Sequence, residues 1–110
     1  RIAVVTPGRA IDSIRDVLPG TRFTRHAKKR MFADRSIRPR EVTEALQSGE
    51  VIEEYLDGEP YPSYLVFGRS AQGRPLHVVC APVPAERRLI VITVYEPDPA
   101  LWDDFRRRKR

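Results

Sequence analysis

The first part of the chain places its apolar residues at helical spacing. Such residues recur three or four positions apart from Ile11 to Leu18, until Pro19-Gly20 interrupts the pattern. This spacing predicts a short helix. Before it, the apolar run IAVV at residues 2–5 ends at Pro7-Gly8 and predicts a strand or a loosely attached arm.

Two further helices are predicted before residue 50. Thr24 is a suitable N-cap for a helix that runs to about residue 34. Its apolar side consists of residues four apart, namely Phe23, Ala27 and Met31, and Met31 is expected in the core. The next helix has Pro39 in its first turn and Gly49 just past its end, with an apolar stripe of Val42, Ala45 and Leu46.

After residue 50 the pattern changes to strands. Four segments rich in β-branched and aromatic residues follow one another: 51–57, 63–70, 75–83 and 88–96. The short connections between them are typical of hairpins and predict an antiparallel meander. The Pro-rich EPDPA then ends the last strand, and a short C-terminal helix is expected from about Leu101, anchored by Trp102 and Phe105.

Helices followed by strands indicate an α+β fold, with helices packed on a four-stranded sheet. A chain of 110 residues with 41% hydrophobic content suits one modest core. We therefore expect a single α+β domain at residues 21–105, an N-terminal extension at 1–20 and a basic tail at 106–110.

The basic and acidic residues are segregated along the chain. The net charge is +5, and the five consecutive basic residues 106–110 account for all of it. Residues 22–40 hold eight basic residues and one acidic residue, whereas residues 41–104 hold twelve acidic and four basic residues. The folded surface would then attract phosphate on one side and a basic partner on the other. The alternative is that the two blocks neutralise each other across the fold.

Composition favours a soluble, cytoplasmic protein without a membrane partner. No apolar run approaches the roughly 20 residues of a membrane span, and the N-terminus lacks the apolar region of a signal peptide. Removal of a targeting segment stays open as an alternative. The single cysteine, Cys80, excludes an internal disulfide and is expected to be a small core residue.

Several stretches together resemble a known family. TRHAKKRM, EVTEALQSGEVIEEY, YLVFGRSAQGRPLHVVCA and IVITVYEPD, within Phe23 to Trp102, are similar to the bacterial and archaeal family called domain of unknown function 4258. One departure is Arg25, which stands between Thr24 and His26. That family is similar to the compact RelE, ParE and BrnT toxins. The resemblance implies helices on a curved antiparallel sheet, an antitoxin partner and, in several relatives, metal-free RNA cleavage.

Cleavage of RNA without metal or cofactor needs a base, an acid and cations, and the sequence offers candidates for each. His26 and His77 are the candidate catalytic pair, because imidazole exchanges protons near neutral pH. They would meet if the second helix packs across the sheet. Arg30 shares the helix face of His26. The candidate phosphate or RNA contacts are Lys29, Arg30, Arg35 and Tyr95.

Each candidate also has an ordinary structural interpretation. His26 would simply be exposed or capping, His77 a buried and hydrogen-bonded histidine, and Tyr95 a half-buried sheet residue. Arg30 and Arg35 would be solvated or paired with the acidic block. The two histidines do not form a recognised zinc pattern, although Glu96 would join them if all three met in space.

Three functions therefore remain open. The first is a toxin-like, metal-independent endoribonuclease of a toxin–antitoxin module, with RNA and a cognate antitoxin as partners. The second is nucleic-acid binding without catalysis through the basic residues. The third is a protein-interaction domain whose sheet face binds a partner chain.

Overall fold

The described part of the chain folds into three α-helices and two sheets. The computed structural model describes residues 7–33 and 36–110. The helices are α1 (Pro7–Asp16), α2 (Arg25–Ala33) and α3 (Pro39–Ser48). The strands are β1 (Thr21–Phe23), β2 (Glu50–Tyr55), β3 (Ser63–Arg69), β4 (Pro75–Val83), β5 (Arg88–Tyr95), β6 (Trp102–Asp103) and β7 (Arg107–Arg108). The arm predicted at residues 2–5 lies outside the described residues.

The main sheet has five strands in the order β1-β5-β4-β3-β2. Strands β2 to β5 form the antiparallel meander that the hairpin connections predict. The prediction of a four-stranded antiparallel sheet is wrong in one respect, because β1 adds a fifth strand parallel to β5. Three residues between Gly20 and the N-cap Thr24 are too few to show a strand period in the sequence. The α+β class itself is confirmed.

The helices lie on one face of this sheet, where the core is. α3 packs against β3, α2 against β5 and α1 against β2. Met31 and Cys80 are buried there, as the sequence predicts. Burial raises the pKa of the Cys80 thiol to about 12, so this cysteine is protonated at neutral pH. In the described part of the chain, no helix combines the length and apolar character needed to cross a bilayer.

The contact between α3 and β3 depends on Gly68. A Cβ at this position would overlap the main-chain carbonyl of Ala45 on α3. Glycine thus lets the backbones of helix and strand approach directly, which brings Leu46 and Val42 onto the sheet without exposed surface.

The C-terminal residues form a hairpin, so the predicted C-terminal helix is wrong. Among the described strands, β6 and β7 pair only with each other. Asp104 and Phe105 have φ of +53° and +59°, as in a type I′ turn, and the Arg106 N–H donates to Asp103 O across 2.9 Å. A helix this short has little stability of its own, so tertiary contacts decide the conformation. We call residues 101–109 the C-terminal strap.

The strap covers the sheet face opposite the helices. Trp102 is buried there, with its ring 4.5 Å from that of His77. Arg106 and Arg108, expected in a basic tail, form ion pairs with Glu50 and Glu53 on β2. Part of the C-terminal positive charge is therefore neutralised by the acidic block.

Candidate nucleic-acid interface

Thr24 fixes the start of α2 beside β5. Its hydroxyl accepts a hydrogen bond from the Ala27 N–H at 3.0 Å, which confirms the predicted N-cap. The same hydroxyl donates to Ile92 O at 3.0 Å, and the Thr24 N–H donates to Val91 O. Among the described strands, β1 is the partner of β5 on this side and pairs with residues 89–91, and α2 packs against β5.

The outer side of α2 is a continuous basic surface. Only Ala27 and Met31 of this helix are buried, and no acidic residue occurs between Arg25 and Ala33. The exposed titratable residues are Arg25, His26, Lys28, Lys29 and Arg30. None of them forms an ion pair with another described residue. We call these five residues the α2 basic surface.

Arg30 joins this surface to the end of the sheet. Its guanidinium carbon lies 5.4 Å from the ring centre of Tyr95, at a distance typical of a cation–π contact. Tyr95 is the last residue of β5 and is half-buried. Burial raises the pKa of its hydroxyl, which therefore stays protonated at neutral pH.

His77 is fully buried beneath the strap, and both ring nitrogens are used. Nε2 lies 2.7 Å from the main-chain oxygen of Phe105, and Nδ1 lies 3.2 Å from the Tyr95 hydroxyl. A carbonyl oxygen only accepts, so Nε2 carries the proton. Burial lowers the pKa of His77 and favours the neutral ring, whose Nδ1 then accepts from the Tyr95 hydroxyl.

The structure does not bring His26 and His77 together. His26 is exposed on α2 and makes no hydrogen bond with another described residue. Successive residues of a strand point to opposite faces. Leu76 and Val78 face the helices, so His77 faces the strap. The connection from α2 to His77 runs through Arg30 and Tyr95.

The remaining predicted site residues are placed as follows. Lys29 is exposed on the α2 basic surface. Arg35 lies outside the described residues. Arg25 and Lys28 are not among the predicted site residues, although both stand in the same basic run and belong to the same surface.

Arg74 belongs to an internal network. Its guanidinium binds Glu96 and also Glu41, the latter at 3.1 Å. Burial opposes the charge of Arg74, but the hydrogen bonds to Glu96 and Glu41 outweigh it and raise the pKa. Glu96 therefore binds Arg74 and does not join the two histidines. Within the described ranges, no three His, Cys, Asp or Glu side chains gather as a metal site would require.

An apolar groove lies next to the basic surface. Phe32, on α2, is 84% exposed, the largest fraction among the described large hydrophobic residues. It borders a groove of about 380 Å³ with Lys28 and Arg38 at its lining. The apolar lining residues are Phe23, Met31, Phe32, Ile37 and Pro39.

Helices on one face of a mainly antiparallel sheet, with a basic helix at its edge, define a small α+β domain with an exposed basic surface. The family model described as "Domain of unknown function (DUF4258)" matches residues 23–96, well over half of the chain. The chain belongs to this family. The match includes α2, His77 and Tyr95 and stops before the strap. Comparison with curated proteins and with solved structures gave no match.

Proposed function

We propose that this protein is a compact, toxin-like domain that acts on RNA in the cytoplasm and holds the RNA backbone with the α2 basic surface. The observation that carries the proposal is the set of exposed cations that have no ion pair with a described residue. Such cations bind phosphates by releasing condensed counterions. The similarity to RelE, ParE and BrnT toxins, inferred from the sequence, is part of the same proposal.

The contact between Arg30 and Tyr95 favours RNA as the polyanion. Single-stranded regions of RNA expose bases that stack on aromatic rings and on guanidinium planes. Arg30 lies over the Tyr95 ring on one side and is exposed to solvent, which leaves the guanidinium accessible to a base or a phosphate.

The catalytic form of the proposal is a metal-independent endoribonuclease of a toxin–antitoxin module. Here His26 is the residue with access to RNA, and it would take or give the proton. Lys29 and Arg30 would stabilise the charge that develops on the phosphate. His77 is enclosed, so it would act only by orienting the Tyr95 hydroxyl. The non-catalytic form of the proposal is binding of RNA without cleavage, and it requires only the cations of the α2 basic surface.

A second candidate is protein interaction, with a cognate antitoxin as the partner. The exposed Phe32 and the apolar groove beside it favour this function. Large exposed apolar patches on small proteins are often sites of association. The two candidates are compatible, because Lys28 is the one residue that the groove and the α2 basic surface have in common.

Binding is tested with a fluorescently labelled single-stranded RNA, by anisotropy at several salt concentrations. Changing Lys29 and Arg30 together to Gln should lower the slope of log affinity against log salt by about 0.7 for each lost phosphate contact. The matched control changes Arg107 and Lys109 to Gln, which removes the same charge from exposed positions elsewhere. Equal losses in both variants would show non-specific attraction and would contradict the proposed surface.

Catalysis is tested by incubating RNA with the protein in EDTA and resolving the products on a denaturing gel. The catalytic form predicts cleavage by the parent, none by His26→Ala and reduced cleavage by Tyr95→Phe. Intact RNA in every lane, with binding retained, would eliminate the catalytic form and leave the binding form.

A further inference from the structure

The sheet face beneath the strap has the aromatic and acidic side chains expected of a surface that binds a basic peptide. Glu50, Phe67, His77 and Tyr95 are cross-strand neighbours in one row over β2 to β5. Glu53 lies in the adjacent row, opposite Leu65. The face thus combines an aromatic floor with a carboxylate edge along β2.

The strap contacts this face through aromatic and basic side chains. The Trp102 ring stands edge-on to His77, and the Phe105 ring lies 5.7 Å from that of Phe67. Arg106 binds Glu50 at 2.7 Å. The two residues between these aromatic side chains are exposed to solvent.

Arg108 supplies a bidentate ionic contact. Two of its nitrogens donate to the two oxygens of Glu53, at 2.8 and 3.1 Å. This hydrogen bonding lowers the pKa of Glu53. Burial and the bond to Glu53 raise the pKa of Tyr55, next to this pair, to about 12. Glu53 is therefore ionised at neutral pH and binds a guanidinium at this position.

Other features distinguish the strap from the domain it covers. Its strands pair with each other and do not extend the main sheet. Its ion pairs are largely exposed, and such pairs contribute little to stability. Asp104 and Phe105 adopt the left-handed backbone that non-glycine residues disfavour. The family match ends at residue 96, so it includes the face and not the strap.

We propose that this face is a binding site for a peptide with two aromatic residues followed by alternating arginines, and that the strap is its displaceable occupant in cis. A segment of the same chemistry, including the strap of a second copy, would bind when the strap is released. The inference does not rest on RNA binding, because the α2 basic surface lies outside the strap contacts.

The test measures the carbethoxylation of His77 by diethyl pyrocarbonate, read by peptide mass. His26 in the same molecule is the exposed reference. In the parent, His77 should react far more slowly than His26. The full-length variant Arg106→Glu/Arg108→Glu should repel the strap from Glu50 and Glu53 and raise the His77 rate by about tenfold or more. The control Arg107→Glu/Lys109→Glu, with the same charge change, should leave the rate unchanged.

A synthetic peptide, LWDDFRRRKR, is then added in trans to the Arg106→Glu/Arg108→Glu variant. It should slow the His77 reaction again, whereas LWDDFEREKR should not. Failure of the first peptide to protect at millimolar concentration would overturn the peptide site. An unreactive His77 in the folded variant would overturn the displaceable strap.

A second measurement covers the case in which the variant does not fold. Hydrogen exchange of the parent follows the Arg106 and Lys109 amides, which are bonded within the strap. A displaceable strap predicts that both exchange by local opening, faster than the core of β4. Exchange of these amides only through global unfolding would contradict the proposal. Neither outcome depends on whether the protein binds RNA.

Discussion

His77 donates a hydrogen bond from Nε2 to the main-chain oxygen of Phe105, over 2.7 Å and 28 positions of sequence. This bond sets the tautomer of the ring and hence the direction of the hydrogen bond with Tyr95. One buried side chain therefore joins the strap to the sheet and orients the hydroxyl at the end of β5.

His77 should make stability depend on pH below 6.5. Its folded-state pKa is lowered from 6.5, chiefly by burial, so the unfolded chain binds a proton first as the pH falls. The contribution of His77 to the free energy of unfolding is fully present above pH 6.5 and decreases as the pH falls towards the folded-state pKa. Urea unfolding between pH 4.5 and 6.5, above the ordinary pKa of Glu53, should show this decrease.

The two histidines provide matched variants for this measurement. His26→Gln should retain the decrease, because His26 is exposed, whereas His77→Gln should remove most of it. A decrease that persists in His77→Gln and disappears in His26→Gln would contradict the assignment.

Tyr95 has two separable contacts, and two substitutions distinguish them. Tyr95→Phe keeps the ring under Arg30 but leaves Nδ1 of His77 without its donor. We expect a loss of about 1–3 kcal/mol in the free energy of unfolding, with RNA affinity retained. Tyr95→Leu removes the ring as well, so RNA affinity should also fall. Urea unfolding and RNA anisotropy measure the two effects, and equal affinities for both variants would contradict a role of the Arg30–Tyr95 contact.

Hydrophobic spacing predicted the regular part of the fold because burial there follows a local period. The apolar stripes of α2 and α3 and the four strands of the meander all have this origin. β1 is too short to have a period, and its pairing with β5 is a long-range contact. The strap likewise takes its conformation from partners more than 50 positions away, such as Glu50 and Glu53.

The candidate site was predictable in its charges and not in its geometry. The basic run identified the exposed cations of α2, since no acidic residue interrupts it. For His26 to meet His77, both side chains would have to face the helix layer. The strand period argues against this, because Leu76 and Val78, on either side of His77, are the residues that belong to the core.

Arg74 should stabilise the fold by joining α3 to the end of β5. Its side chain is 19% exposed and binds the side chains of Glu41 and Glu96, which are 16% and 23% exposed. Arg74→Ala would leave two partly buried carboxylates without this partner, at a cost of about 1–3 kcal/mol in the free energy of unfolding. Urea unfolding measures this change.

The exposed pair of Arg88 with Glu86 is the control for Arg74. These atoms are 3.8 Å apart, and both side chains are about half exposed. Arg88→Ala should change the free energy of unfolding by no more than about 0.5 kcal/mol. Similar effects of the two substitutions would contradict the structural role of Arg74.

Gly68→Ala should destabilise the protein through a direct overlap of backbone and side chain. The added methyl group would meet the main-chain carbonyl of Ala45, which no change of rotamer can move away. Separation of α3 from β3 would then cost about 1–3 kcal/mol in the free energy of unfolding.

Gly73 is the contrasting position. Nothing lies within 4 Å of a Cβ there, but its φ is +88°. Gly73→Ala should therefore cost only conformational energy, about 1–2 kcal/mol, and leave the packing of Leu46 intact. Urea unfolding gives both losses, and hydrogen exchange on α3 separates them. Faster exchange on α3 is expected in the folded Gly68→Ala protein alone, and unchanged exchange there would contradict the close approach of α3 and β3.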